Sequence, residues 1–342
     1  MSQKILLVQT AFIGDVILTT PLIKAVKKKF SNSKLSVLLI PEAEELLKNN
    51  PYVDEVLVYD KRGKEKSLNS FFQLVNKIRQ AKFDLAIVPH RSYRSSFLVF
   101  LSKIPTRIGF DKNQAKVFLT KKVIYQNNLH EIDRNLSLIE SNGIQIQEKL
   151  PELFPDKNNF ARTESFLSEN KISSNDKIVV VASGSTWATK RWLPEGFAKV
   201  ADWLIQKEKT KVVLIGGKED EKLAHDITNL MQEKPVVTCG KLSLLESAAL
   251  LSKCKLLLAN DTSPVHMAVA MKTPVVEIYG STVPAFGFYP YGVGHLIIER
   301  NLSCRPCGIH GHQKCPLGHF RCMKEISAEE VFNTVDKKLK EI

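Results

Sequence analysis

The chain has 342 residues, of which 44% are hydrophobic and 25% charged. This length and composition exclude fibrous and disordered classes and indicate two globular domains. The net charge of +13 indicates an anionic partner, such as a nucleic acid, acidic lipid headgroups or phosphorylated glycans. Apolar runs are too short for a membrane span or a signal peptide, so we expect a cytoplasmic protein.

Strand and helix patterns alternate through the first half of the chain. The strand pattern occurs at residues 5–8, 35–40, 56–59, 85–88 and 123–125. Residues 21–30 and 68–80 have apolar side chains at helical spacing. This alternation is typical of a parallel sheet covered by helices.

A polar stretch from about Gln145 to Lys177 separates the two halves. We place the domain boundary there, with a first domain at residues 1–165 and a second domain at residues 166–342. Five strand patterns follow, at residues 178–182, 211–215, 236–238, 256–258 and 275–278. They predict a second, more regular Rossmann-like domain. The last predicted helix, residues 328–339, is amphipathic and can pack on either domain, including back on the first.

The segment from Gln9 to Asp15 joins the first strand to the first helix. Its single Gly14 does not form the three-glycine fingerprint of dinucleotide-binding proteins. Asp15 has two possible roles. Its carboxylate can cap the following helix, or it can act as a general base at the carboxyl end of the sheet.

Residues 184–195 follow the first strand of the second half and contain Lys190 and Arg191 between two tryptophans. Hydroxyl groups and cations ahead of a helix that begins at Pro194 form a candidate anion site. The alternative is a solvated basic loop that Trp187 and Trp192 anchor to the core.

Residues 260–266 precede an apolar helix, and the free N–H groups of its first turn favour a diphosphate. His266 is more commonly a packing residue than a catalytic acid at such a position. Gly216 and the acidic residues after it follow another strand, where a carboxylate often accepts from ribose hydroxyls. We choose Glu221 for this contact, although acidic residues are also common in a first helical turn.

Four cysteines lie close together in the chain, at Cys304, Cys307, Cys315 and Cys322. One interpretation is a structural zinc site that closes a long loop. The spacing differs from that of a zinc ribbon, and buried free thiols or a redox pair are the alternatives.

Taken in order, these motifs resemble glycosyltransferase family 9, which includes the ADP-heptose:lipopolysaccharide heptosyltransferases. The resemblance covers nearly the whole chain. It rests on Gly14-Asp15 with Thr20-Pro21, on residues 187–192 and 260–266, on Gly280-Ser281-Thr282, and on the cysteine segment. Residues 187–192 and the cysteine segment are most similar to the heptosyltransferase II branch.

The resemblance implies a GT-B fold, in which two Rossmann-like doubly wound domains face each other across a cleft. It also implies inverting transfer of heptose from ADP-heptose to the lipopolysaccharide inner core, lipid A-Kdo or heptosyl-Kdo, without a catalytic metal. Asp15 resembles the general base, and Lys190 resembles the residue that stabilises the leaving diphosphate. We assign donor binding to Thr186, Thr189, Arg191, Gly216, Glu221, Asp261, Thr262, Ser263 and His266.

An inner-core acceptor carries carboxylates and phosphates, which would account for the positive charge. We assign acceptor binding to Gly14, Lys61, Arg62, Lys64, Arg91 and Arg94, although the cations are equally consistent with a solubilising surface. We expect peripheral, salt-sensitive attachment to the cytoplasmic face of the inner membrane.

Three other functions remain open. The chain can be a family 9 transferase with another sugar or acceptor, a relative that only binds nucleotide sugars, or a nucleic-acid-binding protein with a zinc-stapled module. The ligand-type turns and the lack of an aromatic and basic stripe in the sequence argue against nucleic acid.

Overall fold

The computed structural model describes residues 2–140 and 146–342. The chain forms two compact units, Met1–Phe154 and Pro155–Ile342. The structure therefore moves the predicted boundary from residues 165 and 166 to residues 154 and 155. The reason is that the helix Lys157–Glu169 packs within the second unit, where the Thr163 hydroxyl donates to the Glu246 carbonyl at 2.9 Å. Gln145, where the predicted polar stretch begins, lies outside the described residues.

The described part of the first unit contains an alternating set of strands and helices. Its strands are β1 (Lys4–Val8), β2 (Lys34–Leu39), β3 (Glu55–Val58), β4 (Leu85–Val88), β5 (Thr106–Phe110) and β6 (Lys121–Val123). Its helices are α1 (Ile13–Lys29), α2 (Glu44–Leu47), α3 (Leu68–Ala81), α4 (Tyr93–Leu101) and α5 (Glu131–Ser137), with 3₁₀ turns at Pro41–Ala43 and Lys116–Phe118.

These strands form one parallel sheet in the order β3-β2-β1-β4-β5-β6. The order reverses between β1 and β4, and ligands bind at the carboxyl ends of the strands beside such a reversal. The sequence missed β5, because Arg107 and Gly109 interrupt its apolar pattern. It also placed the edge strand β6 too late, at residues 123–125.

The second unit repeats this architecture. Its strands are β7 (Ile178–Ala182), β8 (Lys211–Leu214), β9 (Val236–Val237), β10 (Leu256–Asn260), β11 (Val275–Ile278) and β12 (Leu296–Ile298). Its helices are α6 (Lys157–Glu169), α7 (Pro194–Glu208), α8 (Glu221–Leu230), α9 (Leu244–Ser252), α10 (Ser263–Ala270), α11 (Arg321–Lys324) and α12 (Ala328–Lys340), with 3₁₀ turns at Ala188–Lys190, Lys218–Asp220 and Pro284–Phe286.

The second sheet is also parallel, in the order β12-β11-β10-β7-β8-β9. Read from β9, this is the strand order of the first unit, with the reversal between β7 and β10. All five predicted strands are present, and the short edge strand β12 was missed. Two doubly wound, Rossmann-like units are therefore confirmed.

The final helix α12 packs on α7, within the second unit. Val331, Phe332 and Val335 are buried in that unit's core, and the Phe332 ring meets Trp203 edge to face at 5.6 Å. Of the two packing partners left open by the sequence, the structure thus shows the second domain. Within the described ranges 2–140 and 146–342, no helix has the length and apolar character to cross a bilayer.

Candidate active site

In the first unit, Asp15 lies in the first turn of α1, directly after Gly14 and beyond the carboxyl end of β1. One carboxylate oxygen accepts a hydrogen bond from the Phe12 N–H at 3.3 Å. Asp15 therefore caps its own helix, as one of the two interpretations predicted. The side chain is only half-buried, so a substrate can also reach it, and its role as a base stays a prediction.

Four of the predicted acceptor-binding cations gather at this edge of the sheet. Lys61 donates to the Thr10 carbonyl, in the segment that leads to Asp15. The other three stand over aromatic rings: Arg62 over Phe12 at 5.0 Å, Arg91 over Tyr125 at 4.2 Å and Arg94 over Tyr59 at 5.2 Å. Such stacking holds a guanidinium in place while leaving its N–H groups available to an anion.

The positive charges of these residues add to the effect of burial on the pKa of a neighbouring histidine. Burial, together with the charges of Lys61, Arg91 and Arg62, lowers the pKa of His90 to about 4. Burial and the neighbouring Arg62 and Arg94 likewise lower the pKa of Lys61, while Asp15 opposes them. We name Lys61, Arg62, Arg91 and Arg94 the acceptor cluster.

Lys64 is placed differently from the other predicted acceptor residues. It is exposed in the turn after β3, where its backbone N–H donates to the Asp60 carboxylate at 2.8 Å. The structure therefore assigns Lys64 to a surface turn rather than to the acceptor cluster.

Sequence analysis missed Glu131, a buried carboxyl at the start of α5, which packs on α1. Glu131 accepts from the Arg134 guanidinium at 2.8 Å, and the same Arg134 nitrogen donates to the Tyr125 hydroxyl at 2.9 Å. Burial and the charge of Asp15 raise the pKa of Glu131 to about 7, against the effect of Arg134. No sequence signal links Glu131 to Asp15, because only helix packing brings them together.

In the second unit, the loops after β7 and β10 meet through an ion pair. The Lys190 ammonium lies 2.7 Å from the Asp261 carboxylate, and both side chains are largely buried. The Thr282 hydroxyl, in the turn after β11, donates to the same carboxylate oxygen at 2.6 Å. Three predicted segments thus converge at the carboxyl edge of the second sheet.

A buried amide fixes the position of these loops. Asn260 accepts from the Trp192 backbone N–H at 2.9 Å and donates to the Ser183 carbonyl at 2.7 Å. Arg191 donates to the Ser185 carbonyl at 2.7 Å. Asn260 was within a predicted segment but was not recognised as the residue that joins the two loops.

The two predicted threonines of this loop differ in environment. Thr189 is buried, and its hydroxyl contacts Ser281 Oγ and the His312 carbonyl, both at 2.9 Å. It also accepts from the His312 N–H at 2.7 Å. Thr186 is exposed, and its carbonyl accepts from the Gln313 amide. Thr189 therefore joins the loop to the cysteine segment, and Thr186 is the more accessible of the two.

The helix α10 presents its first turn next to the ion pair. Thr262 is the N-cap residue and Ser263 the first helical residue, and both are partly exposed. His266 is buried on the same helix. The N–H groups of this first turn are suited to an anion.

Of the three acidic residues that follow β8, Asp220 and Glu221 lie beside different glycines. A Cβ atom added to Gly184 or Gly216 would lie 2.2 Å or 2.7 Å from Asp220 atoms, so Asp220 fills the space that these glycines leave. Glu221 is exposed, and one of its carboxylate oxygens would lie 2.5 Å from a Cβ atom added to Gly240. Asp220 was left unassigned by sequence analysis, and Glu221 keeps the predicted ribose role.

Below the ion pair, β11 carries the fully buried Glu277. Burial, followed by the negative charge of Asp261, raises the pKa of Glu277 well above its usual range, and Lys190 opposes this. This shift favours the neutral form of Glu277 beside the ion pair.

The cysteine segment is fixed to the turn after β11 by an arginine. Arg305 donates to the Gly280 and Thr282 carbonyls and pairs with Glu299 at 2.9 Å, while the Cys307 N–H donates to the Ser281 carbonyl. In the described part of the chain, all six cysteines are free thiols, and no group of three or more His, Cys, Asp or Glu residues is arranged to hold a metal ion. The structural zinc stays a prediction.

Comparisons with known proteins agree with this architecture. The family model for glycosyltransferase family 9 (heptosyltransferase) matches residues 71–318. Lipooligosaccharide heptosyltransferase 2 of Campylobacter jejuni is 24% identical, over 98% of this chain and 99% of that protein. A family 9 glycosyltransferase from Veillonella parvula has a TM-score of 0.89 and 25% identity, covering 100% of this chain and 98% of that one. The ADP-heptose lipopolysaccharide heptosyltransferase II of Escherichia coli has a TM-score of 0.81 and 20% identity, with 99% of both chains covered.

Proposed function

Because the chain belongs to glycosyltransferase family 9, a family of GT-B fold, we propose that it transfers heptose from ADP-heptose to the lipopolysaccharide inner core. The observation that carries this proposal is the convergence of Lys190, Asp261 and the first turn of α10 at the carboxyl edge of the second sheet. The heptosyltransferase functions of the Campylobacter and Escherichia relatives support the choice of sugar and acceptor.

On the donor side, the leaving group is ADP, whose diphosphate gains negative charge as the glycosidic bond breaks. The Lys190 ammonium has three N–H donors, so it can hold Asp261 and a phosphate oxygen together. The N–H groups of Thr262 and Ser263 and the Thr262 hydroxyl add further stabilisation. These groups supply the charge stabilisation that a metal provides in other transferases, so metal-independent transfer is part of the proposal.

On the acceptor side, Asp15 takes the proton of the attacking hydroxyl. The acceptor oxygen forms a bond to the anomeric carbon while the bond from that carbon to the diphosphate breaks and ADP departs with the electron pair. Attack opposite the leaving group inverts the configuration through an oxocarbenium-like transition state. The acceptor cluster binds carboxylate or phosphate groups of the inner core and so orients the hydroxyl.

We place the protein at the cytoplasmic face of the inner membrane, attached peripherally and without a nucleic-acid partner. The net charge of +13 supports attachment to acidic headgroups. Salt should weaken this attachment, because it screens exposed charges.

The first test is thermal stabilisation by ADP, UDP, GDP, CMP and ADP-heptose, followed by ADP release in the presence of a truncated inner-core acceptor. We expect selective stabilisation by ADP and ADP-heptose, because a bound ligand raises the melting temperature. Stabilisation by another nucleotide would favour a family 9 transferase with a different sugar. If none of the nucleotides binds, the donor assignment is wrong.

A further inference from the structure

The first unit exposes a group of apolar side chains on one surface. We name this surface the aromatic face and define it as α3, α4 and the turn Lys116–Phe118. Its most exposed side chains are Leu68 (77%), Val117 (75%), Phe72 (50%), Tyr93 (50%) and Phe100 (41%). Single exposed apolar residues are common, but a connected group of them marks an interaction surface.

Ring contacts connect the three segments. Phe72 lies 5.7 Å from Phe71, which stacks on Phe97 of α4 at 6.1 Å. Phe97 and Phe100 each contact Phe118 in the turn, at 5.3 Å and 4.7 Å. Phe97, Phe100 and Phe118 thus join α4 to the turn, and the buried Phe71 links this group to Phe72 on α3.

Positive charge is concentrated in the same part of the chain. Residues 60–124 contain 15 Lys and Arg and 4 Asp and Glu, a net charge of +11 out of +13 for the whole chain. Arg107 stands over Phe100 at 5.6 Å, while Lys116 is exposed next to Val117 and Lys103 is exposed just after α4. Aromatic and basic side chains together fit the interface of a bilayer with anionic headgroups.

We propose that the aromatic face docks on a bilayer containing anionic phospholipids, inserting Leu68, Phe72 and Val117 at the headgroup level. The aliphatic character of Leu68 and Val117, its two most exposed residues, favours lipid over nucleic acid, which stacks its bases on aromatic rings. Because this face is assembled from three separate segments, it does not appear as an aromatic and basic stripe in the sequence.

Docking there also places the acceptor cluster near the lipid surface, a consequence that rests on the proposed function. Arg94 of the acceptor cluster stands over Phe71 at 5.3 Å and over Tyr59 at 5.2 Å. The aromatic face and the acceptor cluster therefore adjoin. A lipid-linked acceptor would reach Asp15 from the membrane to which the protein is bound.

The test is co-sedimentation of the full chain with vesicles free of any acceptor, made either of phosphatidylglycerol and phosphatidylethanolamine or of phosphatidylcholine alone. The variant combines Leu68→Ser, Phe72→Ser and Val117→Ser. Its control combines Leu230→Ser, Val293→Ser and Leu317→Ser in the second unit, which are 50%, 96% and 65% exposed. Thermal unfolding establishes that both variants fold.

We expect the wild type and the control to bind the anionic vesicles, and this binding should weaken as the salt concentration rises. The variant should bind these vesicles at least roughly tenfold more weakly than the wild type. Equal binding by the variant and the wild type, or wild-type binding to nucleic acid but not to anionic vesicles, would overturn the inference. Turnover of a delipidated acceptor should be the same in all three proteins. If the wild type lacks that turnover but binds vesicles, the proposed function fails and the docking surface stands.

Discussion

Replacing Lys190 with methionine removes the cation of the donor-side ion pair while keeping much of the side-chain volume. Lys190 and Asp261 are 2.7 Å apart, with side chains only 14% and 10% exposed. Removing one partner of a buried pair leaves an uncompensated charge, and we expect a loss of about 3 kcal/mol in the free energy of unfolding. For a domain of this size, that lowers the melting temperature by roughly 6–12 °C.

The chain offers a matched control in the same unit. Lys253 pairs with Glu164 at the same 2.7 Å, but the side chains are 34% and 60% exposed. Because water screens this pair, Lys253→Met should cost about 1 kcal/mol or less. Equal losses in the two variants, measured by calorimetry, would refute the argument from burial.

Activity separates the catalytic role of Lys190 from its structural one. Loss of a group that stabilises the leaving diphosphate should lower kcat by roughly 10²–10³-fold. The double variant Lys190→Met, Asp261→Asn should recover stability, because no unpaired charge remains, but it should not recover kcat. A Lys190→Met enzyme with nearly wild-type kcat would show that the ion pair only holds the loops together.

Three further predictions concern other parts of the molecule. Asp15→Asn keeps an oxygen for the helix cap but cannot take a proton. We therefore expect kcat to fall by roughly 10²–10⁴-fold, with little change in melting temperature. Full activity would exclude Asp15 as the base. The pKa of Glu131 is raised from 4.5 to about 7. Between pH 4.5 and about pH 7, the folded protein therefore holds a proton that the unfolded chain has released, and the free energy of unfolding falls as pH rises. Glu131→Gln should flatten that slope of stability with pH, and an unchanged slope would contradict the shift. If the cysteine segment holds a structural zinc, its four thiols must move together, and the protein should contain one zinc per chain that Cys307→Ser removes. Zinc-free protein with reactive thiols would favour the free-thiol alternative.

Local sequence patterns determined most of the fold. Buried parallel strands such as β4, β7 and β10 appear as short apolar runs, because helices cover both of their faces. The edge strands β6 and β12 and the interrupted strand β5 lack that signal and were misplaced or missed. The cations after β3 and β4 and the loops after β7 and β10 were found because, in a parallel sheet, residues beyond the strand ends share one edge.

The sequence by itself determined the family, the two doubly wound units, and the segments that carry Asp15, Lys190 and Asp261. Only the tertiary structure decided which residues come together from different segments: Glu131 near Asp15 through the packing of α5 on α1, Asn260 between two loops, and Arg305 on the turn after β11. It also assembled the aromatic face from residues far apart in the chain. The physical reason is that strand and helix patterns depend on neighbours in sequence, whereas burial, pKa shifts and ion pairs depend on contacts that the chain makes only after it has folded.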